Sequence, residues 1–254
     1  MQPAHQVLDP DLVEPEVACL CAFAVMTKAP RAGRVKTRLV PPLTAAEAAQ
    51  LNVCFLRDTA AAILQACAEK ARGIAVYTPV GAEADYVDIL PREFQLIPQR
   101  GNGFGERLEH AVEDLFAIGF ASVCLIDSDS PTVPPKFYMA AARSLSMHGD
   151  RVVLGPTEDG GYYLIGLKQN HRRLFQNIDW STERVFEQTK TRAAELGVEV
   201  ELLPTCCDVD DRQSLHRLCD ELLNEKSIDR APNTRAFLSE IIKREGRDRI
   251  CAQR

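Results

Sequence analysis

The sequence predicts a single α/β domain built on a mostly parallel central sheet flanked by helices. Three observations carry that expectation. Strand-length apolar runs alternate with helix-length amphipathic segments over roughly the first 155 residues. The strand-like runs, residues 121–126 above all, are apolar almost throughout, as suits strands covered on both faces. No repeat or Gly/Ser linker divides the 254 residues, a length that one large α/β domain fills.

Residues 1–17 carry three prolines and no periodicity, which predicts a flexible acidic arm. The domain itself is expected over 18–223. A first strand covers 18–27 and a loop 28–43. Thr44 then opens a helix with Glu47 completing a capping box. That helix runs to residue 67, with Leu51, Phe55 and Ile63 on its inner face. Strands follow at 73–78 and 94–98. Leu108, Ala111, Val112, Leu115 and Phe116 recur at helical spacing within 105–118. After the strand at 121–126 come a helix at 135–147 and strands at 151–154 and 162–167. A helix at 182–196, a strand at 198–203 and a helix at 211–223 complete the domain. Residues 224–254 are polar and charge-rich, and predict a peripheral helix and tail.

Hydrophobic residues make up 46% of the chain, enough for a substantial core. Lys+Arg total 30 against 36 Asp+Glu, a formal net charge of -6, which disfavours general binding to nucleic acid or anionic membrane. An anion site must then come from a local basic cluster. The longest apolar runs, such as 17–26, are too short for a membrane span. The first 18 residues lack Lys and Arg, unlike a secretory leader, so the expected location is cytoplasmic. Nine cysteines without C-x-x-C spacing predict reduced, structural thiols, the adjacent Cys206 and Cys207 included.

Ligands of open parallel sheets sit at the carboxyl ends of strands. The first strand ends in a segment, residues 28–38, that holds five cations: Lys28, Arg31, Arg34, Lys36 and Arg38. Such a loop can wrap phosphates, Arg forks suiting bidentate contact; the plainer reading is a solvated basic loop. The fourth strand ends in Asp127-Ser128-Asp129-Ser130-Pro131, two carboxylates at i and i+2 that suit a hard divalent cation, Mg²⁺ or Mn²⁺. The same letters also make an Asx turn. Glu158-Asp159-Gly160-Gly161 reads as a hairpin turn or as a site where Asp159 serves an acceptor. Asp210, two residues after Asp208, reads as a helix cap with Gln213 or as a metal ligand. Trp180 reads as sheet packing or as an acceptor-pocket wall. The run Gly101 to Gly105 lacks the order of a dinucleotide fingerprint, yet the helix start there can meet phosphate or sugar.

These motifs, K-A-P-R-A-G-R-V-K-T-R-L, G-E-R-L, D-S-D-S-P-T, G-P-T-E-D-G-G-Y-Y-L-I-G-L, W-S-T and D-V-D-D, stand in an order that resembles a bacterial family. Its members are GT-A-like proteins described as glycosyltransferases associated with radical-SAM or arsenosugar gene clusters. The resemblance covers about residues 20–220. It implies a nucleotide-diphospho-sugar transferase fold in which Lys28, Lys36 and Arg38 face the nucleotide and Asp129 is the metal carboxylate. Arg34 and Arg107 join the phosphate-facing set, and Asp127 and Asp210 the metal set. The family commonly has Gly at the place of Asp127 and Asp at the place of Gly103.

The function expected is a metal-dependent glycosyltransferase-like enzyme with a nucleotide sugar as donor and a small-molecule acceptor. Asp129 and Asp159 carry the chemistry, Asp159 orienting or deprotonating the nucleophile. Nucleotidyl transfer from a triphosphate and non-catalytic nucleotide binding are the alternatives.

Overall fold

The computed structural model describes residues 5–67, 70–224 and 229–251. Seven strands form one sheet: β1 Cys21–Lys28, β2 Ala71–Thr78, β3 Gln95–Pro98, β4 Ser122–Ile126, β5 Arg151–Pro156, β6 Tyr162–Leu167 and β7 Glu199–Leu202. Their order is β3-β2-β1-β4-β6-β5-β7. Only β6 runs against the rest, pairing antiparallel with both β4 and β5. The expected α/β architecture is thus the one observed.

Helices α1 Ala45–Cys67 and α3 Pro135–Ser146 cover one face, and α2 Phe104–Ile118 and α4 Val185–Glu195 the other. Alternation along the strands feeds both cores. Phe23, Val25, Cys124 and Ile126 face the first, while Ala22, Ala24, Val123 and Leu125 face the second. α1 starts as the sequence predicts: the Glu47 N–H donates to Thr44 Oγ1 at 3.2 Å, and the Thr44 N–H to Glu47 Oε2 at 2.9 Å. No helix among the described residues is long and apolar enough to cross a membrane.

The two terminal segments depart from expectation over their described residues; residues 1–4, 225–228 and 252–254 lie outside these. Residues 5–17 are docked, not loose. The Leu8 N–H donates to the Leu96 carbonyl and the Leu96 N–H to the Gln6 carbonyl, each at 2.8 Å, while Leu8 and Val17 are buried. Sparse apolar residues without periodicity concealed this, because a short β-bridge needs backbone groups and one anchor only. The other departure is residues 229–251. They form α6 Pro232–Glu245 and α7 Asp248–Cys251, which close a third core with α1 and α5 Arg212–Leu222 through Leu51, Phe55, Leu215, Leu238 and Ile250.

A buried carboxylate fixes α6 on α1. Asp58, 4% exposed, accepts from the Asn233 N–H (3.0 Å) and Nδ2 (2.8 Å), and from the Thr234 N–H (2.8 Å) and Oγ1 (2.6 Å). The two backbone N–H groups are orphan donors of a helix start that has no side-chain cap of its own. Asp58→Ala is therefore expected to destabilise the chain by about 3 kcal/mol, the cost of stranding several buried donors. Denaturant unfolding measures it; a loss within ~0.5 kcal/mol would show that α6 is held by its apolar face alone.

Candidate functional site

The strand order reverses between β1 and β4, and the crevice at their carboxyl ends is where open α/β sheets bind ligands. Three segments converge there. The first is the basic loop after β1, in which Lys36 adopts a left-handed conformation at φ 48°. Its side chain, 5% exposed, turns inward. Nζ donates to the Val209 carbonyl at 2.6 Å and lies 2.8 Å from Asp129 Oδ1 and 3.3 Å from Asp210 Oδ1. The Phe55 ring lies beneath it, 5.5 Å from centroid to Nζ. Burial opposes the charge, but Asp129 and Asp210 outweigh it and hold the ammonium above its ordinary pKa. Lys36 therefore braces the acidic segments, where the sequence predicts a solvent-facing phosphate ligand. The position along a charge run gave no hint of the inward turn.

The other cations divide. Lys28, Arg34 and Arg38 line a recess of about 270 Å³ beside Lys36. Arg31 is drawn off to Asp85, at 2.7 Å. Arg107 is not brought to the site: its Nε donates to the Gly101 carbonyl at 3.3 Å, and it lines neither that recess nor the larger cavity. A first-turn position on α2 puts Phe104 and Leu108 on the cavity side instead.

The second segment is the end of β4. The Asp127 N–H donates to the Tyr163 carbonyl at 3.0 Å, and Ser130 Oγ donates to Asp127 Oδ2 at 2.7 Å. Burial, then the neighbouring Asp129, push the Asp127 carboxyl well above the carboxylate range, though the Ser130 bond pulls the other way. Ser128 Oγ donates to Asp129 Oδ1 at 3.1 Å.

The third segment, residues 208–211, is tied to the second by the Val209 N–H, which donates to the Asp129 carbonyl at 3.0 Å. Here the helix cap is Asp211, not Asp210, and Ser214, not Gln213, completes the box. The Ser214 N–H donates to Asp211 Oδ1 at 2.8 Å, and the Asp211 N–H to Ser214 Oγ at 3.0 Å. The cap falls one residue later than read because Val209 is the buried residue of the run. Asp210 is thereby left to face Lys36 and, at 3.6 Å, Arg38. Burial, followed by Asp159 and Asp210, raises half-buried Asp208 to about 6.

A cavity of about 820 Å³ opens in front of these groups. Its lining includes the carboxylates Asp127, Asp129, Asp159, Asp208 and Asp210 and the apolar or aromatic Met26, Phe104, Leu108, Tyr162 and Trp180. Asp159 Oδ1 accepts from Thr157 Oγ1 at 2.6 Å and from the Gly161 N–H at 3.0 Å, inside the turn joining β5 and β6. Gly160 has φ +90°, and a Cβ there would lie 2.2 Å from the Glu183 carbonyl, so only glycine admits the 180–185 segment as the far wall. Trp180 is half-buried and meets Phe104 edge-on at 5.3 Å, so it lines the cavity besides packing on the second core. All eight cysteines with described side chains are free. Cys206 and Cys207 are half-buried; Cys206 packs against the first core and bridges Thr157.

The donors are hard carboxylate oxygens, the right kind for Mg²⁺ or Mn²⁺. Among the described residues, no three Asp, Glu, His or Cys groups converge closely enough to cage an ion on their own. A Mg²⁺ site does not need such a cage, since one or two carboxylates plus substrate phosphates suffice.

Two expectations follow. Lys36→Met should lower the stability of the free protein by at least ~2 kcal/mol, because it strands the charges that the ammonium pairs; an unchanged melting temperature would show that the pair braces nothing. Asp208 titrates higher folded than the ~3.9 of an unfolded aspartate. Its contribution to stability is therefore full below about pH 4 and is lost as pH rises through about 6. Asp208→Asn should raise the melting temperature by about 3 °C at pH 7.5, solvent screening allowed for, and by nothing near pH 4. Melting curves across that range decide it.

Among solved structures, the chain is similar to a Desulfovibrio desulfuricans G20 protein provisionally assigned as a nucleotide-diphospho-sugar transferase. The two are 28% identical over 89% of this chain and 97% of that one, with a TM-score of 0.79. A nucleotidyl transferase from Methanothermobacter shares 15% identity over 80% of this chain and 98% of that one, at a TM-score of 0.52. CMP:2-keto-3-deoxy-manno-octonic acid synthetase, solved with CTP, shares 10% over 87% and 99%, at 0.50. The last two likenesses are of fold alone. No curated protein matches the sequence. The architecture is that of the nucleotide-diphospho-sugar transferases. Residues 44–182, more than half of the chain, match the model of the family described as "Uncharacterized protein conserved in bacteria (DUF2064)", and the chain belongs to that family.

Proposed function

We propose that this chain is a cytoplasmic glycosyltransferase-like enzyme that takes a nucleotide-diphosphate sugar as donor and a small molecule as acceptor, assisted by Mg²⁺ or Mn²⁺. One observation carries the reading: a cationic recess and an acid-lined cavity meet at the β1/β4 crevice and share Arg38, Asp129 and Asp210. A ligand spanning both presents a diphosphate to the recess and its sugar to the cavity. The likeness to the Desulfovibrio protein supports the same choice.

In this reading Lys28, Arg34 and Arg38 bind the diphosphate and stabilise charge building on the departing nucleotide. Asp127, Asp129 and Asp210 would hold the divalent ion, which supplies Lewis-acid neutralisation of the phosphates when bound. Lys36 positions Asp129 and Asp210 and stays protonated. Asp159, its Oδ1 engaged by Thr157 and Gly161, offers Oδ2 to the acceptor hydroxyl as orienting group or base. Phe104, Leu108 and Trp180 supply the apolar surface of the cavity against which the sugar end packs.

Asp129→Asn tests the assignment. The parent should gain roughly 2.7 kcal/mol from Mn²⁺ and nucleotide at about a hundredfold excess over Kd, and the variant should lose most of that gain. Donor turnover should fall at least ~100-fold. Retained metal-dependent stabilisation with a lower melting temperature of the free protein would make Asp129 purely structural. Product analysis settles the transfer: nucleoside diphosphate from a nucleotide sugar supports the proposal, while pyrophosphate from a triphosphate overturns it in favour of nucleotidyl transfer.

A further inference from the structure

α1 carries a polar side chain that neither its fold nor the proposed mechanism uses. Asn52 is 4% exposed, between the buried residues Leu51 and Phe55, and its Oδ1 has no hydrogen-bond partner. Asparagine is a poor helix former, and a buried amide without partners is costly. Asp58, further along the same helix, shows the contrast, since both its oxygens are satisfied. Asn52 lines the recess of about 270 Å³, whose remaining walls include Lys28, Arg34, Lys36 and Arg38, and the carboxylates Asp129 and Asp210 that Lys36 pairs.

The neighbours decide what such an amide can meet. Lys36 spends its three donors on Val209, Asp129 and Asp210. Lys28 and Arg34 form no ion pair among the described residues and lie at the exposed rim. A cation entering the recess would be repelled by this rim. An anion is drawn in by it, and then needs a neutral donor at the buried end. The NH₂ group of Asn52, unlike Oδ1, is not sealed from solvent and can donate into the recess.

We propose that Asn52 is a phosphate ligand: its amide N–H binds a phosphoryl oxygen of a diphosphate held in this recess, with Lys28, Arg34 and Arg38 supplying the charge. The inference rests on the reading of the site given above, and adds a neutral, buried donor that fixes how deep the diphosphate sits. The sugar end is then directed to the larger cavity, through the acids the two spaces share.

The test is calorimetric titration of the full chain with inorganic pyrophosphate and with a nucleoside diphosphate, each with Mg²⁺, for the parent, Asn52→Leu and Asn52→Asp. Loss of one hydrogen bond to a charged oxygen predicts at least about tenfold weaker binding of both ligands by Asn52→Leu. The free Asn52→Leu protein should melt at or above the parent, because an apolar group replaces an unpaired amide. Asn52→Asp keeps the shape and adds repulsion, so it should bind more weakly still. Parent-like affinity in both variants, with the parent binding normally, overturns the Asn52 assignment and leaves the general reading standing. A parent that binds neither ligand overturns both.

Discussion

One buried ammonium organises the carboxyl end of this sheet. Lys36 comes from the loop after β1, Asp129 from the end of β4 and Asp210 from the approach to α5, and they meet only because a single positive charge has three donors to share. The Val209 carbonyl takes the third, and the Val209 N–H returns to Asp129, so the 208–211 segment is clamped on both sides of one residue. Phe55 beneath the lysine links this clamp to α1 and to the third core. Remove the charge and three loops lose the reason for their arrangement.

The same pairing explains the uneven electrostatics. Asp129 and Asp210 are matched by Lys36, whereas Asp127 and Asp208 have burial and like-charged neighbours to contend with, and both are pushed upward. The site is short of positive charge where the acids line the larger cavity and rich in it where the basic loop lines the recess. A ligand carrying phosphates at one end and neutral polar groups at the other matches that division, and phosphates bring with them the affinity for a divalent ion that the carboxylates complement.

The layered architecture was legible because burial on both faces keeps the bodies of β1 and β4 apolar, and because Thr44 and Glu47 announce the start of α1. The D-x-D pair and the basic loop were legible by position, at the ends of strands. What pattern could not carry was direction. Nothing local distinguishes Lys36, which turns inward, from Arg31, which leaves for Asp85, or reveals that Arg107 folds back on Gly101. Asp210 and Asp211 are neighbours with opposite employment: Ser214 Oγ accepts from both their N–H groups, but only the Asp211 carboxylate accepts the Ser214 N–H. Asn52 did leave a trace, a polar residue on the apolar stripe of α1, but only the three-dimensional neighbours say why it matters.

The short bridge at residues 6–8 has a consequence for how these molecules behave in a crowd. A sheet edge is an open row of hydrogen-bonding groups, and another chain can continue it as easily as its own could. On the β3 side that row is occupied from within, by Gln6 and Leu8 on Leu96. On the opposite side, β7 is four residues long and bears Glu199 and Glu201, charges that resist a second copy laid alongside. The molecule thus guards one border by covering it and the other by keeping it brief and acidic, two separate defences against uncontrolled association.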